Sequence, residues 1–439
     1  MAGAPGSPAI GIGYKPDMGW TRVSAIAVAT CFCLNLLDGM DILIMSYVAQ
    51  DLTSDWHLNA AVLGVVFSAA TFGMMVGALF VAPIADIVGR RPAIIGALTL
   101  MAVAMIASGF CRTVTELALM RFAVGIGIGT MLASMSAITS EFAPQKYRTF
   151  AVTLLQSAYP LGAVMTGLVV YWALPLFGWR HILIGGGMVT LVLIPVAVLF
   201  MQESLEFLLK RQPRNALERV NRVRSKMGVP TLVALPERLE SSRGPIPRPF
   251  KGRWPQTLLL WLSFFSVYLT VYFVIAWIPK LAIQAGLLPS QGILAGASFN
   301  LGAFAGTAVL AWCSIRVELH KLIMGMMLAG AVTLVVFAIP APLSAVISVA
   351  FFIGFFIFGG FAGIYPLAAL CYPAQVRSTG IGWAIGIGRG GAVVGPMLGG
   401  YLISVNTPAI ALFSIFAGPL LMTGLFTWFI RPSVKESVG

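Results

Sequence analysis

The sequence predicts an all-α membrane protein, with twelve transmembrane helices arranged as two pseudo-symmetric bundles of six. Three observations carry this reading. The 439-residue chain is 59% hydrophobic and only 10% charged, with a mean hydropathy of +0.92, whereas soluble chains carry about 25% charged residues. Twelve apolar runs are each long enough for a bilayer crossing, which takes about 20 residues. A single long hydrophilic stretch, 202–255, divides those runs six and six.

Taken in order, residues 1–22 form a Gly/Pro-rich N-terminal tail without the apolar core of a cleavable signal peptide. The first span is therefore expected to act as its own insertion signal. Spans 1 to 6 are read over 23–48, 60–81, 93–111, 116–138, 150–172 and 181–201, giving an N-terminal bundle, 23–201. In the linker, 202–255, the basic run from Glu203 through Lys226 reads as a solvated helix and the remainder as Pro-rich chain. Spans 7 to 12 follow over 256–279, 292–313, 321–340, 344–371, 379–402 and 409–430. They make a C-terminal bundle, 256–430, followed by a tail, 431–439. The halves echo one another: Pro144 and Pro373, Arg148 and Arg377, and Gly162-Ala-Val and Gly391-Ala-Val all stand 229 positions apart. Such a fixed offset is the mark of an internal duplication.

Orientation follows from the basic residues. Of the 28 Lys and Arg, Arg112, Arg180 and Lys280 fall on one side and Arg121 and Arg389 inside spans; all others fall on the side that holds both termini. Basic loops stay in the cytoplasm, so both termini are read as cytoplasmic. The net charge of +13 then reflects topology and attraction to anionic headgroups of the surrounding bilayer. No soluble basic domain exists to bind nucleic acid. Cys31, Cys33, Cys111, Cys313 and Cys371 form no CxxC pattern, which argues for apolar packing over metal or redox chemistry.

Charges deep inside the spans point to function. Asn35, Asp38 and Asp41 recur at i, i+3 and i+6 and share one helix face. An intramembrane carboxylate costs roughly 2.5–3.5 kcal/mol even on the lenient insertion scale, so it marks a functional site. From the 1.5 Å rise per residue, Asp41 and Arg121 lie at matching depth, roughly 8–9 Å outside the midplane. Arg121 is therefore expected to face Asp41 or Asp38, as a structural ion pair or as part of proton coupling. Two acids against one arginine leave a carboxylate over. Close carboxylates do not both ionise cheaply in low dielectric, so one is expected to hold a proton, as a proton carrier requires. No histidine lies deep in a predicted span.

Arg389 sits near the centre of span 11, and the second half carries no acid within its spans. A buried guanidinium needs an anion, and its planar fork suits a carboxylate. Two counter-ions stay open: an anionic substrate, and Asp38 across the interface while the carrier is empty. Tyr268 and Tyr272, at i and i+4 on span 7, offer ring faces and hydroxyls together. Gln156 and Tyr159 on span 5 and Asn300 on span 8 are further polar candidates for lining the site. The other aromatic residues of spans 7 and 10 read as packing or lipid contacts.

Ala82-Pro-Ile-Ala-Asp86-Ile-Val-Gly89-Arg90-Arg91 resembles the signature loop of the major facilitator superfamily, G-x-L-A-D-R-x-G-R-R, with Ala82 for its first glycine and Ile87 for its first basic residue. The resemblance implies that Asp86, Gly89, Arg90 and Arg91 form a gating loop; the matching loop of the second half, Ala311 to Glu318, is degenerate. More narrowly, Asp38-Gly39-x-Asp41, Arg121-Phe-Ala-Val-Gly125-Ile-Gly127 and Gly386-Ile-Gly388-Arg389 through Gly395-Pro396-x-x-Gly399-Gly400 resemble the aromatic acid:proton symporters. That resemblance implies a monomer in the cytoplasmic (inner) membrane.

The function expected is proton-coupled import of an aromatic carboxylate, such as a hydroxybenzoate or phenylpropanoid acid, by alternating access. The partners are then a small organic anion and protons, with no cofactor. Alternatives are symport of a non-aromatic, muconate-like acid and proton antiport exporting small molecules. Antiporters of the resembled family carry G-P-x-x-G-G on span 5, whereas here it is on span 11, which favours import. An enzyme is not expected: the chain shows no nucleophile–base pair and no metal-ligand cluster.

Overall fold

The computed structural model describes residues 19–236, 254–284, 286–372 and 377–430. Most of the N-terminal tail, the C-terminal tail, the 237–253 part of the linker and Pro373 of the sequence repeat lie outside the described residues. Among the described residues every regular element is helical. The helices are α1 (Arg22–Trp56), α2 (Ala60–Val76), α3 (Ala85–Val88), α4 (Arg90–Ser108), α5 (Val114–Phe142), α6 (Arg148–Phe200), α7 (Leu205–Arg211) and α8 (Ala216–Lys226). The second half adds α9 (Trp254–Gln284), α10 (Pro289–Cys313), α11 (Leu319–Val336), α12 (Leu343–Cys371), α13 (Arg377–Ser404) and α14 (Ala409–Phe429).

Among the described residues, eleven continuous segments are long and apolar enough to cross a membrane. The twelfth crossing is hidden in α6, whose 53 residues would reach about 80 Å if straight, more than twice a hydrocarbon core. Gly178 breaks it with φ 73° and ψ 167°, a left-handed backbone that glycine adopts without a Cβ clash. The limbs 148–177 and 179–200 are spans 5 and 6.

Span 2 runs further than its hydropathy suggests. A π turn at Gly77–Val81 and a 3-10 turn at Ala82–Ile84 carry α2 into α3, so most of the expected loop is helical. The wide turn accommodates Pro83, which has no N–H to donate. The chain then reverses at Gly89, φ 110°, and α4 starts at the next residue.

The linker also departs from expectation. α7 is a docked helix, not a solvated one: Leu205, Phe207, Leu208 and Leu209 are buried, as are Glu203 and Ser204 just before it. α8 buries Val220 and Val223 and exposes Glu218, Arg222 and Lys226. The hydrophobic stripe Leu205-x-Phe207-Leu208-Leu209, overshadowed by its basic neighbours, is what docks.

Helix approach repeats at the same offset as the sequence. A Cβ on Gly73 would strike the backbone of Phe122, and one on Gly302 that of Phe351. Gly125 meets Ala70 and Gly354 meets Phe299; Gly162 meets Leu36 and Gly391 meets Phe265. Each member of the second pair stands 229 positions after its counterpart. Small residues let backbones approach where lipid offers no hydrophobic drive for helix association, and the duplicated halves use the same contacts.

The halves meet through α1 with α9, α2 with α13, and α6 with α10. On the side away from the linker they are bonded shut. The Ser46 hydroxyl donates between the carbonyls of Ile275 (2.9 Å) and Ala276 (2.8 Å). Ser68 donates to the Val393 carbonyl (2.7 Å) and Lys280 to the Thr53 hydroxyl (2.7 Å). The rings of Phe67 and Trp277 meet edge to face at 5.4 Å.

Gly162→Val and Gly391→Val are each expected to lower the melting temperature in detergent by several degrees, because rigid helix backbone blocks the added side chain. Gly96→Ala, which meets nothing within 4 Å, serves as the comparison. Equal melting of all three would show that these contacts are not what holds the helices together.

Candidate functional site

α1 begins at a capping box between Thr21 and Ser24 and continues unbroken to Trp56, so its polar face is set by helical periodicity alone. Gly39 lies against the backbone of Tyr159, which draws α1 onto α6. Asn35 then donates from Nδ2 to the Leu155 carbonyl at 2.6 Å. Asp38 and Asp41 are buried, 1% and 2% exposed, and none of their four carboxylate oxygens has a hydrogen-bond partner among the described residues.

Arg121 on α5 is 1% exposed. Its Nη2 donates to the Met105 sulfur (2.6 Å) and the Ser108 hydroxyl (3.1 Å) of α4. It shares a cavity with Asp41 and lies within electrostatic reach of it, but no direct bond joins them. The cavity, about 30 Å³, is lined also by Thr71 of α2, Tyr272 of α9 and Pro396 of α13. Such a volume admits about one or two waters and no aromatic ring.

Arg389 approaches from the other half, 5% exposed, with Nε and Nη1 unbonded. Tyr272, Tyr268, Tyr365 and Asp38 lie within its electrostatic reach. Gly388 allows this placement: a Cβ there would come within 2.9 Å of the Tyr268 ring. The Tyr268 and Tyr272 rings stack at 5.8 Å with 7° between planes. The Tyr268 and Tyr365 hydroxyls are 2.6 Å apart, and Phe361 sets its edge on Tyr268 at 5.0 Å.

The structure thus gathers Asp38, Tyr159, Tyr268, Tyr272 and Arg389 at the interface of the halves. The Tyr159 hydroxyl is buried and unbonded, within electrostatic reach of Tyr272, Asp38, Tyr47 and Arg389. Asn300 stands one residue further out. Its Nδ2 donates to Gly296 (2.9 Å) and its side chain lies beside the Tyr47 hydroxyl. Gln156 is exposed, one turn toward the linker from Tyr159 on the same face. Tyr365 and Tyr47 escaped the sequence reading. Tyr365 sits in a phenylalanine-rich helix that reads as packing, and the hydroxyl was the available signal.

The loop from Asp86 to Arg91 is held mainly by acids from elsewhere. The Glu203 carboxylate accepts the backbone N–H groups of Arg90 (2.9 Å) and Arg91 (3.2 Å), capping α4 from across the fold. Gly89 is needed twice, for its positive φ and because a Cβ would run into that carboxylate. The Arg90 guanidinium pairs with Glu141 at the end of α5 and reaches Glu206 at 3.3 Å. Ser204 donates to Glu141, and Arg91 donates to the Val198 carbonyl. Asp86 is exposed and contributes its carbonyl to Arg211 (2.9 Å). Glu203 and Glu141 were visible in the sequence but stood in segments read as linker and repeat.

This architecture overlays solved transporters. The xylose transporter XylE from E. coli, in a partially occluded inward-open conformation, aligns with a TM-score of 0.72 at 17% identity, covering 93% of this chain and 100% of that one. The family model of the Major Facilitator Superfamily matches residues 30–306. The chain belongs to the major facilitator superfamily. It is a multi-pass membrane transporter and not an enzyme. Among superfamily relatives, the 4-hydroxybenzoate transporter PcaK of Pseudomonas aeruginosa is 33% identical over 388 residues, 86% of each chain. The gallate transporter of Pseudomonas putida is 28% identical, covering 91% of this chain and 90% of its own. The 3-(3-hydroxy-phenyl)propionate transporter of Escherichia coli is also 28% identical, covering 91% and 92%.

Glu203→Gln is expected to weaken the cap on α4 by about 1–2 kcal/mol, and Gly89→Ala to destabilise through both strain and the carboxylate clash. Thermal inactivation in detergent measures both; wild-type half-lives for the pair would mean the clamp contributes nothing to the fold.

Proposed function

We propose that this protein is a proton-coupled importer of an aromatic carboxylate, working by alternating access in the inner membrane with both termini cytoplasmic. The observation that carries the proposal is Arg389: a buried guanidinium with free N–H donors, framed by tyrosines and with no bonded acid among the described residues. A carboxylate fits those donors in a bidentate manner, and the stacked Tyr268–Tyr272 pair offers a ring face beside them. The relatives named for hydroxybenzoate, gallate and hydroxyphenylpropionate transport support the aromatic class.

Asp38 and Asp41 supply the proton site in this reading. Their oxygens accept no hydrogen bond among the described residues, so either acid can take up a proton without breaking a bond. Arg121 holds Asp41 within its field across the small cavity. Binding of substrate at Arg389 competes with the field of Asp38, and protonation of Asp38 removes that competition. Proton and anion therefore favour each other's binding, as symport requires. Alternating access calls for the bonded seam to open while the linker side closes around the clamp of Arg90.

Two expectations follow from this arrangement. Asp38→Asn and Asp41→Asn are expected to abolish protonophore-sensitive accumulation of radiolabelled 4-hydroxybenzoate while leaving the protein in the membrane. Full gradient-driven uptake in both variants would remove proton coupling through these acids. Arg389→Ala is expected to weaken binding at least about tenfold, and Arg389→Lys to recover only part of it, because an ammonium lacks the planar fork. Unchanged carboxylate binding in Arg389→Ala, with loss of folded protein, would make the arginine structural.

A further inference from the structure

Lys280 is a buried cation that the site described above does not use. It lies on α9, 5% exposed, and its Nζ donates to the Thr53 hydroxyl of α1 at 2.7 Å, with the Trp277 ring 6.0 Å away. No carboxylate pairs with it among the described residues. Asp55, near the same end of α1, is held by Arg180 at 2.7 Å and Trp179 at 3.2 Å. Asp51, two residues before Thr53, stands on a different face of the helix. An ammonium sealed under one neutral hydroxyl is an unfavourable arrangement and a poor choice for a purely structural contact.

Its position explains what it is for. Along α9, Tyr268, Tyr272, Ala276 and Lys280 recur every four residues and form one ridge. Along α1, Asp41, Met45, Ala49 and Thr53 form the facing ridge. Both ridges begin in the site: Tyr272, Asp41, Met45 and Ala276 all line the small cavity. They end where Lys280 meets Thr53, eight residues or about 12 Å beyond Tyr272. Ala49 and Ala276 leave no bulk between, and the Ser46 bond closes the seam beside Ala276. Opening this seam uncovers Lys280 at the mouth of the passage that leads to Tyr272 and Arg389.

We propose that Lys280 is an entry site for carboxylates: it captures the anion from the outer solution when the α1–α9 seam opens and passes it down the ridge to Arg389. This rests on the import of an organic anion proposed above. In the sealed state Thr53 covers the ammonium, so the entry site exists only on the outward-facing side of the cycle.

The test compares Lys280→Gln, Lys280→Arg and Thr53→Val with wild type. Radiolabelled 4-hydroxybenzoate is the probe, presented from outside to cells and from the inner face to inverted vesicles. Lys280→Gln is expected to raise the external half-saturating concentration about tenfold and to flatten its salt dependence. Its maximal rate and its inner-face half-saturation are expected to stay within about twofold of wild type. Lys280→Arg and Thr53→Val, which both keep a cation, are expected to retain the wild-type external value. An unchanged external value in Lys280→Gln, or equal shifts on both faces, would overturn the proposal. Thr53→Val reproducing Lys280→Gln would also overturn it and make the pair a simple latch. If Lys280→Gln does not reach the membrane, a tenfold rise in Lys280→Arg decides against the entry site. Wild-type protein that takes up no labelled acid would instead remove the transport reading on which the entry site depends.

Discussion

Asp38, Asp41, Arg121 and Arg389 are all buried, and each lies within the field of an opposite charge without an ion-pair contact to it. That arrangement constrains the rest of the molecule. A charge in a low-dielectric interior is tolerated only near a compensating one, so the three helices that carry these residues, α1, α5 and α13, must be brought together and held. α1 meets α6 through Gly39 and Gly162, and α13 meets α9 through Gly388 and Gly391. The glycine contacts thus hold α1 and α13 each against a helix that flanks the site. Asp38, Asp41 and the Nε and Nη1 groups of Arg389 have no hydrogen-bond partner among the described residues, which keeps them available to a proton or a ligand.

The seam between the halves carries hydrogen bonds as well as close helix contacts. Gly64 of α2 and Gly400 of α13 bring backbone against backbone there, as glycines do inside each half. Beside them, short hydroxyl side chains bond to carbonyls across the seam, as at Ser46 and Ser68. Each such bond is worth about 1 kcal/mol net, few enough in number to be exchanged for others. The Arg90–Glu141–Glu206 cluster, by contrast, lies wholly within the first half and its linker, and it stiffens that half as a unit.

Much of the fold was legible because hydropathy and basic-residue placement are read directly by a bilayer. Asp38, Asp41 and Arg389 were legible for the same reason: charge in an apolar run has no ordinary explanation. Legibility failed where hydropathy averages over opposing signals. Gly178 lies inside an apolar stretch and is one residue among many, yet its φ divides α6. Leu205 to Leu209 dock firmly although their neighbours are basic. Glu203 caps a helix more than a hundred residues earlier in the chain, and no local pattern announces a partner that distant. Tyr365 was lost among the phenylalanines of α12 because a hydroxyl changes hydropathy little, although it bonds Tyr268.

Charge balance at the interface gives the proposed coupling its physical basis. Two acids and two arginines sum to zero in the empty site, and the second half contributes a cation with no acid of its own. Adding one proton and one carboxylate together leaves that sum at zero. Adding either alone leaves a net charge among buried side chains. Closing the halves around an uncompensated charge is opposed by desolvation, whereas the empty and doubly loaded sites both close neutral. Coupling on this account needs no direct transfer of the proton to the substrate. It needs Asp38 and Arg389 to sense each other across the seam without touching, so that neutralising one releases the other.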